Sequence, residues 1–348
     1  IYVLNMEGPG EAVRITSLST GAARPVWSPD GKRLAFESRV YPGAADDAAN
    51  AEEKERREEL GYNASSYDIF PIRQWDRWLD DLQTHLFVQD AEPGATARDL
   101  LAGTDFVAGT GYAGVPRLSG EQLHAQWTPA GDALLIAATQ NRHEAARAQV
   151  YYHLYRVDAN GGEPEQLTDS QDWSCHTPLF APDGGSLYCQ IQPVSEFVYN
   201  LTELGRFDWP RSGAAADFDD SVELLTAGFD RSVSEYALAT DGRSAYFTAL
   251  EHGRTRLFAT AAKGTDPVRA LDADSPGVYA GPKPAGESLV ARWEDGTNPA
   301  EVVRIDPRAE GHARLSAFNV ERAAELDRHP FREFWIETDK GRRVHSWV

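Results

Sequence analysis

The 348-residue chain is poor in sulfur, with two cysteines and one methionine. Cys175 and Cys189 stand fourteen places apart with no C-x-x-C or H-x-x-E-H spacing anywhere, so nothing in the spacing supports a metal site, and no cofactor is expected. No apolar run approaches the ~20 residues of a membrane span, so a membrane-spanning role is not expected. Positive charge is also scarce. Thirty-four Lys and Arg face 54 Asp and Glu, a formal net charge of -20. Long-range repulsion then disfavours nucleic acid and anionic membrane surfaces as partners. With 41% hydrophobic residues the chain can still bury a sizeable core, and 29 Gly with 20 Pro suit a protein rich in turns.

What is present is a repeated hairpin. RPVWSPDGKRLAF, from Arg24 to Phe36, places the turn Ser28-Pro29-Asp30-Gly31 between two apolar runs. Pro at the second turn position presets φ, and Gly supplies the positive φ that closes the turn. The pattern returns as QWTPAGDALLIA from Gln126, LFAPDGGSLYCQ from Leu179, ALATDGRSAYFTA from Ala237 and GPKPAGESLVARW from Gly281. The turn glycines Gly31, Gly131, Gly184, Gly242 and Gly286 are separated by 100, 53, 58 and 44 residues. The first interval holds either one unit plus an insertion or two units. After most of these turns comes a second signature, an alternating strand ending in an acid, then Gly and a short Leu-Thr-like strand. HLFVQDAEPGATARDLLAG, YYHLYRVDANGGEPEQLTD and EVVRIDPRAEGHARLSAF are examples. Repeats of ~40–50 residues built from four short strands predict an all-β protein, a β-propeller. A β-sandwich does not repeat the turn and the strand pair together.

Six units are visible if the opening half-blade, IYVLNMEGPGEAVRITSLST, is counted; further N-terminal strands or a second unit in the first interval would make seven. The expected organisation is a propeller over residues 1–330, its first blade incomplete, followed at 331–348 by the start of another domain. The longest interruption, Gly43 to Asn63, contains ANAEEKERREEL, whose Glu/Arg/Lys spacing predicts an exposed helix inserted between strands of one blade. A simple hairpin about Asp183-Gly184 would set Cys189 opposite Pro178, three places from Cys175. Two unbonded, buried cysteines are therefore expected. The nine histidines are scattered and read as structural or surface residues. Asn63-Ala64-Ser65 and Asn200-Leu201-Thr202 match glycosylation sequons.

The order of Trp27-Ser28-Pro29-Asp30-Gly31, the exit Leu315-Ser316-Ala317-Phe318-Asn319 and the terminal hairpin from Phe334 to Val348 resembles the prolyl oligopeptidase family of serine peptidases. PIRQWDRWLDDLQTHLFVQD from Pro71 and FDRSVSEYAL from Phe229 look most like its dipeptidyl peptidase V and acylaminoacyl peptidase branch. The resemblance implies a non-catalytic propeller that gates short peptide substrates, followed by an α/β-hydrolase domain whose crossing begins at the terminal hairpin. It also implies a periplasmic or secreted location in preference to the cytoplasm, and leaves homo-oligomerisation open. The hydrolase fold needs a nucleophile elbow, G-x-S-x-G, which is absent from the chain, so no catalytic residue is assigned. A propeller of this kind can lend a carboxylate to a peptide ammonium, and Glu196 in QPVSEFVYN is the candidate, with Phe197 and Tyr199 beside it. An exposed loop acid is the competing reading. Arg206 in GRFDWP would meet a peptide carbonyl or pair with Asp208. Trp75, Asp76 and Trp78 read as a strand that faces substrate or belongs to the propeller core, with Asp80-Asp81 as its turn. The alternative function is a protein-binding module without an enzyme, as in TolB-like propellers.

Overall fold

Each of the five quoted turns joins strands of an antiparallel sheet in the computed structural model, which describes residues 1–61, 64, 66–67, 70–117, 120–197, 199–209, 221–264, 266–272, 275–309 and 311–348. The turn chemistry is as the residues dictate. In the first, Ser28 N–H donates to the Arg33 carbonyl, Gly31 N–H donates to the Ser28 carbonyl, and Gly31 sits at φ 69°. Ser28 Oγ donates to Asp30 Oδ1 and accepts from Arg33 N–H, so the side chains satisfy the turn's own polar groups.

The first blade runs Ala23–Trp27, Arg33–Val40, Gln83–Asp90 and Arg98–Asp99. In the second, the innermost position is divided among Ala113–Arg117, Gly120–Gln122 and Gln126–Trp127, ahead of Ala133–Thr139, His153–Asp158 and Glu165–Gln166. The third contains Trp173–Phe180, Ser186–Pro193, Glu203–Asp208 and Glu223–Leu224. Val233–Leu238, Ser244–Glu251, Arg254–Ala261 and Arg269–Ala270 make the fourth; Val278–Ala285, Ser288–Glu294, Glu301–Ile305 and His312–Arg314 make the fifth. Successive meanders of this kind, hydrogen-bonded in chain order, are the blades of a β-propeller. Tyr2–Val3 pairs with Val13–Arg14, and Glu333–Glu337 pairs with Arg343–Trp347 around Gly341.

The long interval before Gly131 is one blade plus an insertion. Arg33–Val40 pairs directly with Gln83–Asp90, although about forty residues separate them in the chain. The insertion carries helix α1, Asp47–Glu59, capped by Asp46, whose carboxylate accepts from Ala49 N–H. Glu53 pairs with Arg56 and Arg57 on the exposed face, and Arg57 reaches Asp81.

Contacts divide the chain into two units: residues 1–180 with 184–200 and 207–222, and residues 181–183 with 201–206 and 223–348. In the first, Leu86, Leu100, Leu101, Leu123, Trp127, Leu134, Ile136 and Val157 form one apolar cluster. Ala133–Thr139 is buried on both faces, which is why this strand reads as an unbroken apolar run with no alternation. The second unit has its own cluster around Leu257, Tyr279, Leu289, Trp293 and Val303.

Two expectations are corrected. Cys175 and Cys189 are joined in a disulfide, with Cα atoms 6.1 Å apart. The register shifts between His176 and Leu179, so Cys175 stands opposite Ile191 and the two cysteines are two places apart diagonally, not three. An even offset puts both side chains on one face of the sheet; an odd one would have put them on opposite faces. The Trp75 segment is neither core nor a single strand. Arg73–Gln74 and Arg77–Trp78 form a small hairpin with Trp75 at its tip at φ 52°, where its side chain is 86% exposed.

Candidate functional site

The first three blades share a distortion at or just before their opening strands. Arg24, His124 and Thr177 occupy the left-handed region at φ 53°, 52° and 57°, and each lies seven places before its turn glycine. Register shifts mark the spot in the first and third blades. In the fifth blade the corresponding shift holds Gly281 at φ 59°. Glycine adopts this conformation freely, whereas an L side chain in it costs of order 1 kcal/mol and a β-branched one more. Three side chains of one unit hold it nevertheless; His124 and Thr177 meet, and Arg24 connects to them through Glu37 and the Leu123 amide.

Glu37, on the second strand of the first blade, is 2% exposed. One carboxylate oxygen accepts from Arg24 Nη1 at 3.0 Å and the other from Leu123 N–H at 2.9 Å. Burial pushes this carboxyl upward, against the opposing pull of Arg24 and the backbone amides. The residue after Leu123 is His124. Its Nε2 lies 3.4 Å from Arg117 Nε, which donates to it, and its Nδ1 lies 3.4 Å from Thr177 Oγ1. That hydroxyl is 3.0 Å from His176 Nδ1, and the two imidazole centroids are 5.9 Å apart. Burial first, and then the positive charge of Arg117, push His124 and His176 down to about 3, so both rings are neutral near pH 7.

A second polar group lies near it, the two linked through Tyr152. Buried Glu121 pairs with Arg142 and accepts from Gly114 N–H at 3.4 Å, while Arg39 pairs with Asp80 at 2.6 Å. Burial raises the Glu121 carboxyl and the Tyr152 hydroxyl, which feels the charges of Glu121, Arg142 and Arg117. Arg24, Arg142 and Arg39 thus each have a carboxylate. Arg117 has none among the described residues, and burial of its guanidinium pulls its pKa downward. Among the described residues no group of three or more His, Cys, Asp or Glu is placed to hold a metal ion.

The structure leaves the residues expected from sequence apart from this cluster. Glu196 is exposed in a bend after Ser186–Pro193. The bend is tied by Ser195 Oγ donating to Asn200 Oδ1 and accepting from Phe197 N–H, and by Asn200 Nδ2 donating to the Phe197 carbonyl. Phe197 and Tyr199 follow it in the chain, both exposed, Tyr199 at 95%. Arg206 is buried on the third strand of its blade and pairs with Glu223 at 3.1 Å. Trp75 stands at its hairpin tip. Of the two sequons, Asn63 and Ser65 lie outside the described residues. His124, His176 and Arg117 were missed by sequence reasoning. The spacing of seven before the turn glycine does not single them out, since Glu235 and Tyr279 stand at the same place in the fourth and fifth blades without positive φ.

No protein family model matches the chain. Across its whole length it is 21% identical to dipeptidyl-peptidase 5 of Porphyromonas gingivalis and covers 54% of that protein. Acylaminoacyl peptidase of Pyrococcus horikoshii superposes on 97% of the chain with a TM-score of 0.63 at 17% identity, over 45% of its own length. A structure from an analysis of two prolyl endopeptidases covers the same share of the chain with a TM-score of 0.55 at 11% identity. The chain therefore spans about half the length of the relatives it matches. Among the described residues no helix is long and apolar enough to cross a membrane. Five antiparallel blades, matched from end to end by half of a larger peptidase, make this chain similar to the β-propeller portion of serine peptidases of the prolyl oligopeptidase family.

Proposed function

We propose that the chain is the substrate-admitting propeller of a serine peptidase that acts on short peptides, of dipeptidyl or acylaminoacyl type, and that the Ser-Asp-His machinery lies in an α/β-hydrolase domain of the same protein. The observation that carries this reading is the match of the whole chain to 54% of dipeptidyl-peptidase 5. The absence of a G-x-S-x-G elbow from the chain agrees with a division of labour in which the propeller selects and the other domain cleaves. The Cys175–Cys189 disulfide supports a periplasmic or secreted location, where such bonds persist.

Within this reading Glu196 receives the peptide ammonium. Its carboxylate is exposed, next in the chain to the exposed aromatics Phe197 and Tyr199, on a bend fixed by Ser195 and Asn200. A docking peptide would desolvate the pair and strengthen it. Arg206 is already engaged by Glu223, so its role is to hold the third blade. Trp75 offers an exposed aromatic face to a peptide side chain. In the intact protein Glu196→Gln should lower kcat/KM for substrates with a free N-terminus by roughly 1.5–3 kcal/mol, about 10–100-fold, and leave N-blocked substrates nearly unchanged. Steady-state rates on matched free and N-acetylated substrates make the comparison. Equal loss on both, or on neither, removes Glu196 from ammonium recognition.

A further inference from the structure

We propose that Arg117, with His124, His176 and Thr177 around it, forms a carboxylate-binding site on the innermost strands of the second and third blades. Three observations converge on it. Arg117 is the cation of this region whose charge meets no carboxylate among the described residues, whereas Arg24, Arg142 and Arg39 are paired with Glu37, Glu121 and Asp80. Its Nε is aimed at His124, and a planar fork of guanidinium donors is suited to a carboxylate. Hydrogen-bonding groups adjoin it: the two imidazoles and the Thr177 hydroxyl, linked at 3.0–3.4 Å. Last, His124 and Thr177 are held at positive φ, a conformation that persists where surrounding structure enforces it and that clusters at ligand sites. An unpaired, partly desolvated guanidinium is unfavourable by itself, and a bound carboxylate relieves it.

Filling the site also lowers the cost of protonating its imidazoles. The imidazoles are neutral at pH 7 because burial and Arg117 disfavour their charged forms. The groups that act on them are Arg117 and Arg24 by charge, each other, and the Thr177 hydroxyl by contact; Glu37 accepts from the backbone beside His124, and Tyr152 acts on Arg117. A carboxylate beside Arg117 offsets its charge and favours imidazolium. With both rings at about 3 in the empty site they stay neutral between pH 7 and 6, where the ligand is fully ionised, so affinity should be nearly level over that range.

If the peptidase reading above holds, on which the source of the ligand rests, the carboxylate is a peptide C-terminus or an acidic side chain. The test is a titration of the 348-residue chain followed by the ring resonances of His124 and His176. The probes are acetate, N-acetyl-Ala-Ala, its C-terminal amide, and N-acetyl-Glu N-methylamide. Saturable shifts with the carboxylates and not with the amide are expected at pH 7, where both rings are neutral and the ligands ionised. N-acetyl-Ala-Ala binding better than N-acetyl-Glu N-methylamide identifies the C-terminus as source; the reverse identifies the side chain. Arg117→Gln should weaken binding about tenfold or more, and Arg117→Lys less, since it keeps the charge but loses the fork. Arg117 is exposed at the residue level, so circular dichroism should show both variants folded. Equal shifts with acid and amide, or unchanged affinity in Arg117→Gln, overturn the site, as does the absence of a saturable shift with any carboxylate. Binding of acetate without either peptide leaves the site standing and counts against the peptide reading.

Discussion

His176 is buried beside Thr177 and holds its imidazole at about 3, where the ordinary value is 6.5. A folded-state pKa below the unfolded one means that the unfolded chain takes up the proton first. The stability contributed by the neutral ring is complete above about pH 6.5 and is lost as pH falls toward 3, at about 1.4 kcal/mol per pH unit. Glu37 and Glu121 shift the other way: burial raises both, so their effect favours the folded state as pH falls through the carboxylate range. Between pH 6.5 and 5.5 the imidazole dominates. His176→Gln, which removes the titration, should reduce the loss of unfolding free energy over that interval by about 1 kcal/mol, read from urea unfolding at both pH values. An identical pH slope in both proteins would mean that His176 is solvated in the folded state.

At the scale of elements, helix α1 shows how a polar insertion is held to a blade. Its exposed face carries Glu53, Arg56 and Arg57 and has no apolar stripe, so hydrophobic burial does not decide where it rests. Asn50 does. Buried, it accepts from Tyr41 N–H at 2.8 Å and donates to the Arg39 carbonyl and Thr20 Oγ1, each at 3.2 Å. Asp47 adds bonds from Ser19 N–H and Oγ. Asn50→Ala leaves the Tyr41 amide and Arg39 carbonyl without these partners, at a cost of about 1–3 kcal/mol. Because the insertion lies outside the blade's strand ladder, the loss should appear as local opening. Trypsin should then cut after Arg56 and Arg57 about tenfold faster or more, with the urea midpoint of the blades little changed. Unchanged cleavage would show that the ion pairs to Asp81 and within the helix suffice.

For the whole molecule, the division between selection and chemistry proposed above has a direct consequence. A chain of 348 residues without a G-x-S-x-G elbow should leave aminoacyl and dipeptidyl chromogenic substrates intact, and a fluorophosphonate probe should mark no single serine. Stoichiometric labelling at one serine, located by mass spectrometry, would place a nucleophile within the propeller. The net charge of -20 sets the scene for any ligand. It repels anions at long range, so a carboxylate reaches Arg117 against the average field and is held by local donors. An ammonium reaching Glu196 travels with that field.

The sequence by itself determined the blades, because a Pro-Asp-Gly turn and the apolar runs beside it act over a few residues and need no distant partner. Helix α1 was legible for the same reason, in the spacing of Glu53, Arg56 and Arg57. So was the terminal hairpin around Gly341. Only the tertiary structure decided the rest, and in each case one residue of register or a distant strand was the cause. A single bulge at Thr177 changed the offset of Cys175 and Cys189 from odd to even and so made a bond possible. A positive φ at Trp75 turned an apparent strand into an exposed hairpin. His124 and Thr177 meet across 53 positions, and Leu123 and Glu37 across 86. Composition and periodicity report which face of a strand is apolar; which side chains of separate blades converge depends on how bulges re-aim them, and that is a property of packing.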